Sequence, residues 1–100
     1  MDMKKDIITS VFLFTKWMAK CRSVYSIDCE TTSLNYLDLE LIGFSICDGK
    51  QACYVDLLDP YIDKQEILDV LDFYIGENKL IIFHNAPFDL MVLKKYGIEL

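Results

Sequence analysis

The sequence predicts an α/β fold built on a mixed sheet with helices. Two apolar runs flank Asp48-Gly49, a dipeptide typical of a tight turn between antiparallel strands. The apolar run 80–83 follows a helical stretch, so it predicts a strand that can lie parallel to the first strand. Of the 100 residues, 53% are hydrophobic and 26% are charged. A single domain with a buried core is therefore expected, rather than two domains or a disordered chain.

Residues 1–21 predict an amphipathic N-terminal helix. The apolar run also resembles the core of a signal peptide, but Lys16 ends it, and Asp2 and Asp6 lie where a basic segment is required. No apolar run reaches the length of a membrane span, and we expect a cytoplasmic protein. The apolar stripe of the helix, at the spacing i, i+4, i+7 and i+11, consists of Ile7, Val11, Phe14 and Met18.

Residues 23–57 predict a three-stranded antiparallel meander. Its strands are expected at residues 23–29, 41–47 and 51–57, with a loop after the first strand. Together with the helices on either side, this meander predicts one mixed α/β sheet.

Residues 63–100 predict a helix, a strand and a second helix. Asp63 and Glu66 have the spacing of an Asp version of the capping box. The strand is expected at 79–84, and its wholly apolar centre indicates a strand covered on both faces. The first helix has Ile67, Leu71 and Tyr74 on its apolar face and ends at Gly76 and Asn78, and the second begins near Ala86-Pro87, runs through Leu90 and Leu93, and stops at Gly97.

The charge and the cysteines exclude two classes of binding site. With a formal net charge of −6, the chain repels a phosphate backbone, unless carboxylates hold divalent cations that invert the local charge. A single histidine and the absence of a CxxC pair make a zinc site improbable. The four cysteines fit a reducing, cytosolic compartment and are Cys21, Cys29, Cys47 and Cys53.

Two acidic groups lie at or just after the ends of predicted strands. Asp28 and Glu30 are two residues apart on a strand, so both carboxylates face the same way, and such hard oxygen ligands suit Mg²⁺ or Mn²⁺. Asp89 falls in the first turn of the last helix, where the helix dipole favours a carboxylate. The alternatives are a pair of solvated acids, an N-cap at Asn85 and an Asp that only stabilises the helix. Both groups, however, lie at strand ends, where open α/β sheets bind ligands.

These residues carry a family resemblance. The segment Ile27–Leu34 resembles the first motif of the DEDD 3′–5′ exonucleases, Asp-x-Glu-Thr, and His84–Asp89 resembles the second, Asn-x-x-(Phe/Tyr)-Asp. With Phe44, Tyr54-Val55-Asp56 and the closing segment Lys95–Leu100, the chain is most similar to the proofreading exonuclease domains of family A DNA polymerases. The resemblance covers residues 7–100 and implies a ribonuclease H-like sheet.

The resemblance also implies roles for individual residues. Asp28 would bridge two divalent cations, Mg²⁺ or Mn²⁺, while Glu30 would bind the first and Asp89 the second through water. Leu34 would wedge against the terminal base, although an apolar loop residue can equally tuck into the core. The residues expected to contact or position the substrate are Thr31, Thr32, Leu34, Asn85 and Phe88.

The third motif of the family is missing from the sequence. Only eleven residues follow Asp89, and they contain neither Tyr-x-x-x-Asp nor His-x-x-x-x-Asp. His84 and Asp89 have the second of these spacings, but Asp89 already serves the second motif. We therefore expect residues 1–100 to be one partial exonuclease domain, truncated on its C-terminal side, with weak metal binding and little or no activity alone.

The function implied is metal-dependent removal of nucleotides from a single-stranded 3′ end of DNA, with proofreading beside a polymerase domain of the same parent chain. The alternatives are a ribonuclease D-like or oligoribonuclease-like 3′–5′ exoribonuclease, and an inactive nucleic-acid-binding remnant of the same fold. A small α/β domain of unrelated function also stays open. No membrane partner is expected.

Overall fold

A computed structural model describes residues 4–21, 24–77, 80–83 and 85–99. The elements are β1 (Lys4–Ile8), α1 (Val11–Lys20), β2 (Val24–Thr31), β3 (Leu41–Cys47), β4 (Gln51–Asp56), α2 (Lys64–Ile75), β5 (Leu80–Phe83) and α3 (Ala86–Lys95). The sequence predictions made for residues 1–3, Ser23, Asn78, Lys79, His84 and Leu100 lie outside the described residues.

The strands form one mixed sheet in the order β1-β4-β3-β2-β5. β2, β3 and β4 pair antiparallel in sequence order, so the predicted meander is confirmed. β5 pairs with β2 in parallel after the α2 crossover, as the sequence predicted. The α/β class and the mixed sheet are both confirmed.

The N-terminal segment differs from the prediction. Residues 4–8 form β1, which pairs in parallel with β4, and the helix begins only at Val11. The prediction that Ile7 belongs to the helical stripe is therefore wrong, and its side chain is 74% exposed. The reason is local, since the hydroxyl of Ser10 accepts the N–H of Leu13 and caps the helix there.

The three helices pack on one face of the sheet. Along β2, the buried side chains of Tyr25, Ile27 and Cys29 alternate with more exposed ones, and they share one core with the buried side chains of the helices. Phe14 of α1 meets Phe44 of β3 edge to face, with ring centroids 5.6 Å apart. No described helix covers the opposite face, which is called the open face below.

The open face corrects the expectation for β5. Leu80 and Ile82 point to it and are 62% and 55% exposed, so among the described residues β5 is covered on one face only. An apolar run alone does not reveal which face of a strand has a neighbour. Within the described residues, no helix is long and apolar enough to cross a membrane.

The predicted turns and helix ends mostly hold. Gly49 and Gly97 adopt left-handed backbone conformations, with φ of 92° and 85°, at the β3–β4 turn and after α3. The carboxylate of Asp63 accepts the N–H of Glu66 at 3.1 Å, which confirms the Asp63 half of the predicted capping box of α2. Gly76 ends α2 with φ of −71°, an ordinary right-handed conformation, so its lack of a side chain is not required there.

Candidate active site

Asp28 and Glu30 lie on the open face of β2. The strand runs to Thr31, two residues beyond the predicted end, so both acids are inside it. In the register, Asp28 is opposite Ser45 and Glu30 is opposite Gly43 of β3. Both side chains are exposed, as the two-residue spacing predicts. The acids therefore share one face of the central strand.

Asp89 lies in a different environment. Its side chain is 1% exposed, and its two carboxylate oxygens accept the backbone N–H groups of Cys29 at 3.3 Å and of Asn85 at 3.2 Å. The pairing of β2 with β5 ends at Ile27, two residues before Cys29. Asp89 thus accepts an N–H of β2 just beyond the point where the pairing with β5 ends. This hydrogen bond holds α3 against the strand that carries Asp28 and Glu30.

Cys29, between the two exposed acids, faces Asp89 on the covered side. The pKa of its thiol is raised from 9.0 to about 12, chiefly by burial, with smaller contributions from the carboxylates of Asp89 and Asp28 and from a hydrogen bond to Asp89. The thiol is therefore protonated at neutral pH and can donate to Asp89. The sequence analysis used this cysteine only as a sign of a reducing compartment.

At the start of α3, Asn85 does not form the side-chain cap that the sequence analysis considered as an alternative. The side chain of Asn85 makes no capping hydrogen bond; instead, the carboxylate of Asp89 reaches back to the N–H of Asn85. Phe88 is half-buried and packs against the core, so it supports the turn that holds Asp89. Asn85 is exposed.

The loop after β2, residues 32–40, is called the substrate loop below, because the sequence analysis expects Thr32 and Leu34 to contact the substrate. Its ends are joined, because the N–H of Thr32 donates to the carbonyl of Glu40 at 3.0 Å and the hydroxyl of Thr32 accepts the N–H of Glu40 at 2.9 Å. The hydroxyl of Thr31 donates to the carbonyl of Ser33 at 2.7 Å. Leu34 is 83% exposed, so it does not tuck into the core.

Tyr54 of β4 lies across β3 beside Glu30. A Cβ at position 43 would overlap the Tyr54 hydroxyl and would lie 2.8 Å from its Cζ atom, so the ring occupies the space that Gly43 leaves. Partial burial raises the pKa of Tyr54, and the carboxylates of Glu30 and Asp56 add to that shift. The phenol therefore stays protonated next to the acidic pair, a contact that the sequence analysis missed.

Of the acids, Asp28 borders an open groove of about 500 Å³, which is lined by Ser26, Ile27, Asp28, Ser45, Ile82 and Phe83. The described residues contain no group of three or more His, Cys, Asp or Glu side chains placed to hold one metal ion. Asp28 and Glu30 share the open face, whereas Asp89 reaches the same strand from its edge.

Most predicted site residues lie at one end of the sheet, where β2 and β5 end and α3 begins. Sequence reasoning missed three residues that hold or flank this site: Cys29, Tyr54 and Lys95. Cys29 and Lys95 lie on the elements that carry the predicted acids, and Tyr54 lies on β4. Only the glycine at position 43, within a strand, could have pointed to Tyr54, since such a glycine often marks a close approach.

The chain is similar to known proteins in both sequence and fold. A family model described as 3′–5′ exonuclease matches residues 6–100. A curated relative, DNA polymerase I of Rhizobium leguminosarum, is 28% identical and aligns with 95% of this chain, which spans 12% of the length of that relative.

Two solved structures share the fold. The Aedes aegypti Nibbler EXO domain superposes with a TM-score of 0.72 at 10% identity, over 96% of this chain and 47% of that one. Brucella melitensis NrnC gives a TM-score of 0.56 at 21% identity, over 93% of this chain and 43% of that one. With the family model matching almost all of its length, the chain belongs to the 3′–5′ exonuclease family.

Proposed function

We propose that this chain is the part of a 3′–5′ exonuclease domain that carries Asp28, Glu30 and Asp89, and that its parent protein removes nucleotides from a single-stranded 3′ end of DNA. Proofreading beside a polymerase domain of the same parent chain is the proposed setting. The named relative, a DNA polymerase I, supports DNA over RNA as the substrate.

The observation that carries the proposal is the hydrogen bond from the N–H of Cys29 to the carboxylate of Asp89, across 60 residues of sequence. Cys29 is the direct neighbour of both Asp28 and Glu30, and consecutive Cα atoms are about 3.8 Å apart. The carboxylate of Asp89 therefore lies close to the backbone of both acids. A helix that needed Asp89 only for its own stability would have no reason to direct it at this strand. Two acidic groups that are weak signals alone thus converge.

The donor set suits a hard divalent cation. Neither Asp28 nor Glu30 has a hydrogen-bond or ion-pair partner among the residues that the structure describes, so the oxygens of both are available. Each oxygen of Asp89 accepts one N–H and retains a lone pair. We propose that these carboxylates hold two Mg²⁺ or Mn²⁺ ions, which supply positive charge to the reacting phosphate. NrnC, a structural neighbour, has been solved with bound Mg²⁺.

The residues of the chain divide the remaining work. Asp89 keeps one geometry, because its oxygens are held by two backbone N–H groups. Asp28 and Glu30 approach the terminal phosphate from the open face. Leu34 contacts the terminal base, while Thr31, Thr32, Asn85 and Phe88 position the nucleotide or support Asp89. The fourth carboxylate and the group that orients the attacking water are expected from outside this chain.

The test measures cation binding and hydrolysis separately. Mg²⁺ and Mn²⁺ binding to the chain is followed by calorimetry, and release of 3′-terminal nucleotides is followed on single-stranded DNA and RNA of the same sequence. We expect cation binding in the wild type, at least tenfold weaker binding in Asp28→Asn, and slow or no hydrolysis. In the parent protein, Asp28→Asn should abolish cation-dependent hydrolysis of the DNA.

A matched control is Asp72→Asn, which removes an exposed carboxylate of α2 away from the site and should change nothing. Faster hydrolysis of RNA by the parent would favour the exoribonuclease alternative. Cation binding that is the same in the wild type and in Asp28→Asn would refute the assignment of the site.

A further inference from the structure

Lys95, the last residue of α3, binds the substrate loop directly. Its ammonium donates to the carbonyl oxygens of Tyr36 at 2.9 Å and of Leu39 at 2.8 Å. The same ammonium lies 5.4 Å from the centroid of the Tyr36 ring, within the range of a cation–π contact. One side chain thus joins α3 to a loop that lies more than 50 residues earlier in the sequence.

The substrate loop is a closed unit. Besides the joined ends at Thr32 and Glu40, the carbonyl of Asn35 accepts the N–H groups of Asp38 and Leu39 at 3.2 and 2.9 Å. Leu39 is buried, whereas Leu34 and Leu37 are 83% and 86% exposed. The loop therefore has an internal structure and two apolar side chains free to meet a ligand, and its orientation depends on what holds it to the rest of the domain.

The helix that Lys95 ends also carries Asp89. Six residues of α-helix span about 9 Å, and both ends of that span are bound: Asp89 to the edge of β2, and Lys95 to the substrate loop. The neighbouring Tyr96 adds to this join, because its hydroxyl accepts the N–H of Leu41 at 2.9 Å. α3 thus sets the distance between the carboxylate and the loop.

We propose that Lys95 is a positioning residue for the 3′-terminal nucleotide: its ammonium holds the substrate loop so that Leu34 and Leu37 stay aligned with Asp89. This role rests on the proposed function, since it concerns the same site. It extends that function to a lysine that contacts neither the cations nor the reacting bond. The ligand class is the terminal bases of a single-stranded nucleic acid.

The chemistry of the contact calls for an ammonium group. Two carbonyls that converge on one point need a donor with several N–H groups, and an ammonium has three. Lys94, its neighbour, brings the same charge to the C-terminal end of α3, where the helix dipole favours it. Among the described residues, the Lys94 side chain makes no hydrogen bond, ion pair or ring contact with the substrate loop. Variants of Lys94 and of Lys95 therefore distinguish the effect of the loop contact from the effect of charge on helix stability.

The experiment compares Lys95→Met with Lys94→Met in the full chain. Hydrogen exchange is measured at the amides of Leu39 and Glu40, and binding of a short single-stranded oligodeoxynucleotide, labelled at its 5′ end, is measured in Mg²⁺ by fluorescence anisotropy. For Lys95→Met we expect exchange about tenfold faster and oligonucleotide binding about tenfold weaker. Mg²⁺ affinity should be unchanged, because the carboxylates keep their places.

Two further variants complete the design. Lys94→Met should match the wild type in exchange and in oligonucleotide binding. Lys95→Arg should recover part of both, since a guanidinium also offers several donors. Circular dichroism spectra and melting temperatures are compared with those of the wild type. A variant that keeps both is folded, so a loss of folding is excluded as the cause of its weaker binding.

The outcomes separate the two proposals. If the wild type binds both Mg²⁺ and the oligonucleotide, and Lys95→Met binds both as well as the wild type does, the positioning role is overturned and the proposed function stands. If the wild type binds neither, the proposed function is overturned, and the positioning role falls with it.

Discussion

The two acidic groups of the candidate site meet at β2 but differ in burial and in hydrogen bonding. Asp28 and Glu30 are exposed on the open face without a protein partner among the described residues, whereas Asp89 is buried and accepts two backbone N–H groups. A buried carboxylate is costly unless it is hydrogen-bonded. The fold itself therefore requires Asp89, while Asp28 and Glu30 contribute nothing visible to the fold.

This difference shows how the site divides its tasks. Asp89 is held in place before any ligand arrives, and its removal should affect the stability of the domain. Asp28 and Glu30 sit side by side on the open face with no protein partner among the described residues. Under the proposed function, these two residues serve cation binding rather than folding.

The largest expected effect concerns stability at the buried acid. Asp89→Ala should lower the free energy of unfolding by about 3 kcal/mol, since it leaves the buried N–H of Cys29 without an acceptor and also removes the hydrogen bond to the N–H of Asn85. Asp28→Ala, the matched exposed variant, should stay within about 0.5 kcal/mol of the wild type. Urea unfolding in the absence of divalent cations measures both. Equal losses in the two variants would show that the contrast between the groups is wrong.

An intermediate effect is expected at alkaline pH. The pKa of the Cys29 thiol is about 12 in the folded chain against an ordinary 9.0, so only the unfolded chain loses this proton between pH 9 and pH 12. Stability from this group is complete below pH 9 and falls as the pH rises, by about 2–3 kcal/mol at pH 11. Unfolding curves from pH 8 to pH 11 test the sign.

The control for this prediction is Cys29→Ala. Burial also raises the pKa of Cys53 to about 12, so the variant should keep the alkaline loss due to Cys53 and lose only the part due to Cys29. An alkaline slope identical to that of the wild type would mean that the Cys29 thiol is not held next to Asp89.

The smallest effect is expected on the open face. Gly43→Ala should lower the free energy of unfolding by about 1 kcal/mol, because its Cβ overlaps the Tyr54 hydroxyl while the better strand propensity of alanine offsets part of the cost. In a Tyr54→Ala background the same change should be close to neutral. If the cost persists in that background, contact with the Val55 carbonyl, 3.0 Å from the added Cβ, is the cause instead.

Much of the fold could be predicted from local patterns. β3 begins at Leu41 and ends at Cys47 as expected, and Gly49, Asp63 and Gly97 mark the predicted turn, cap and stop. These signals depend on neighbouring residues, which is why the sequence carries them. β1 was missed because its partner, β4, lies more than 40 residues away, and because an apolar run next to a helix fits either structure.

The site divides in the same way. The motif of Asp28 and Glu30 and the place of Asp89 near the start of a helix could both be read from the chain, and so could the family to which it belongs. The Cys29–Asp89 hydrogen bond, the ring of Tyr54 over Gly43 and the hold of Lys95 on the substrate loop could not. Each of these contacts joins elements that are distant in sequence, and no local sequence pattern indicates which side chain will make it.

The sequence by itself determined the class of the fold, the identity of the acidic residues and the family. Only the tertiary structure decided that one acid is buried and two are exposed, and that the helices cover a single face of the sheet. The physical reason is that periodicity sets which residues share a face, whereas burial depends on the elements that pack against that face.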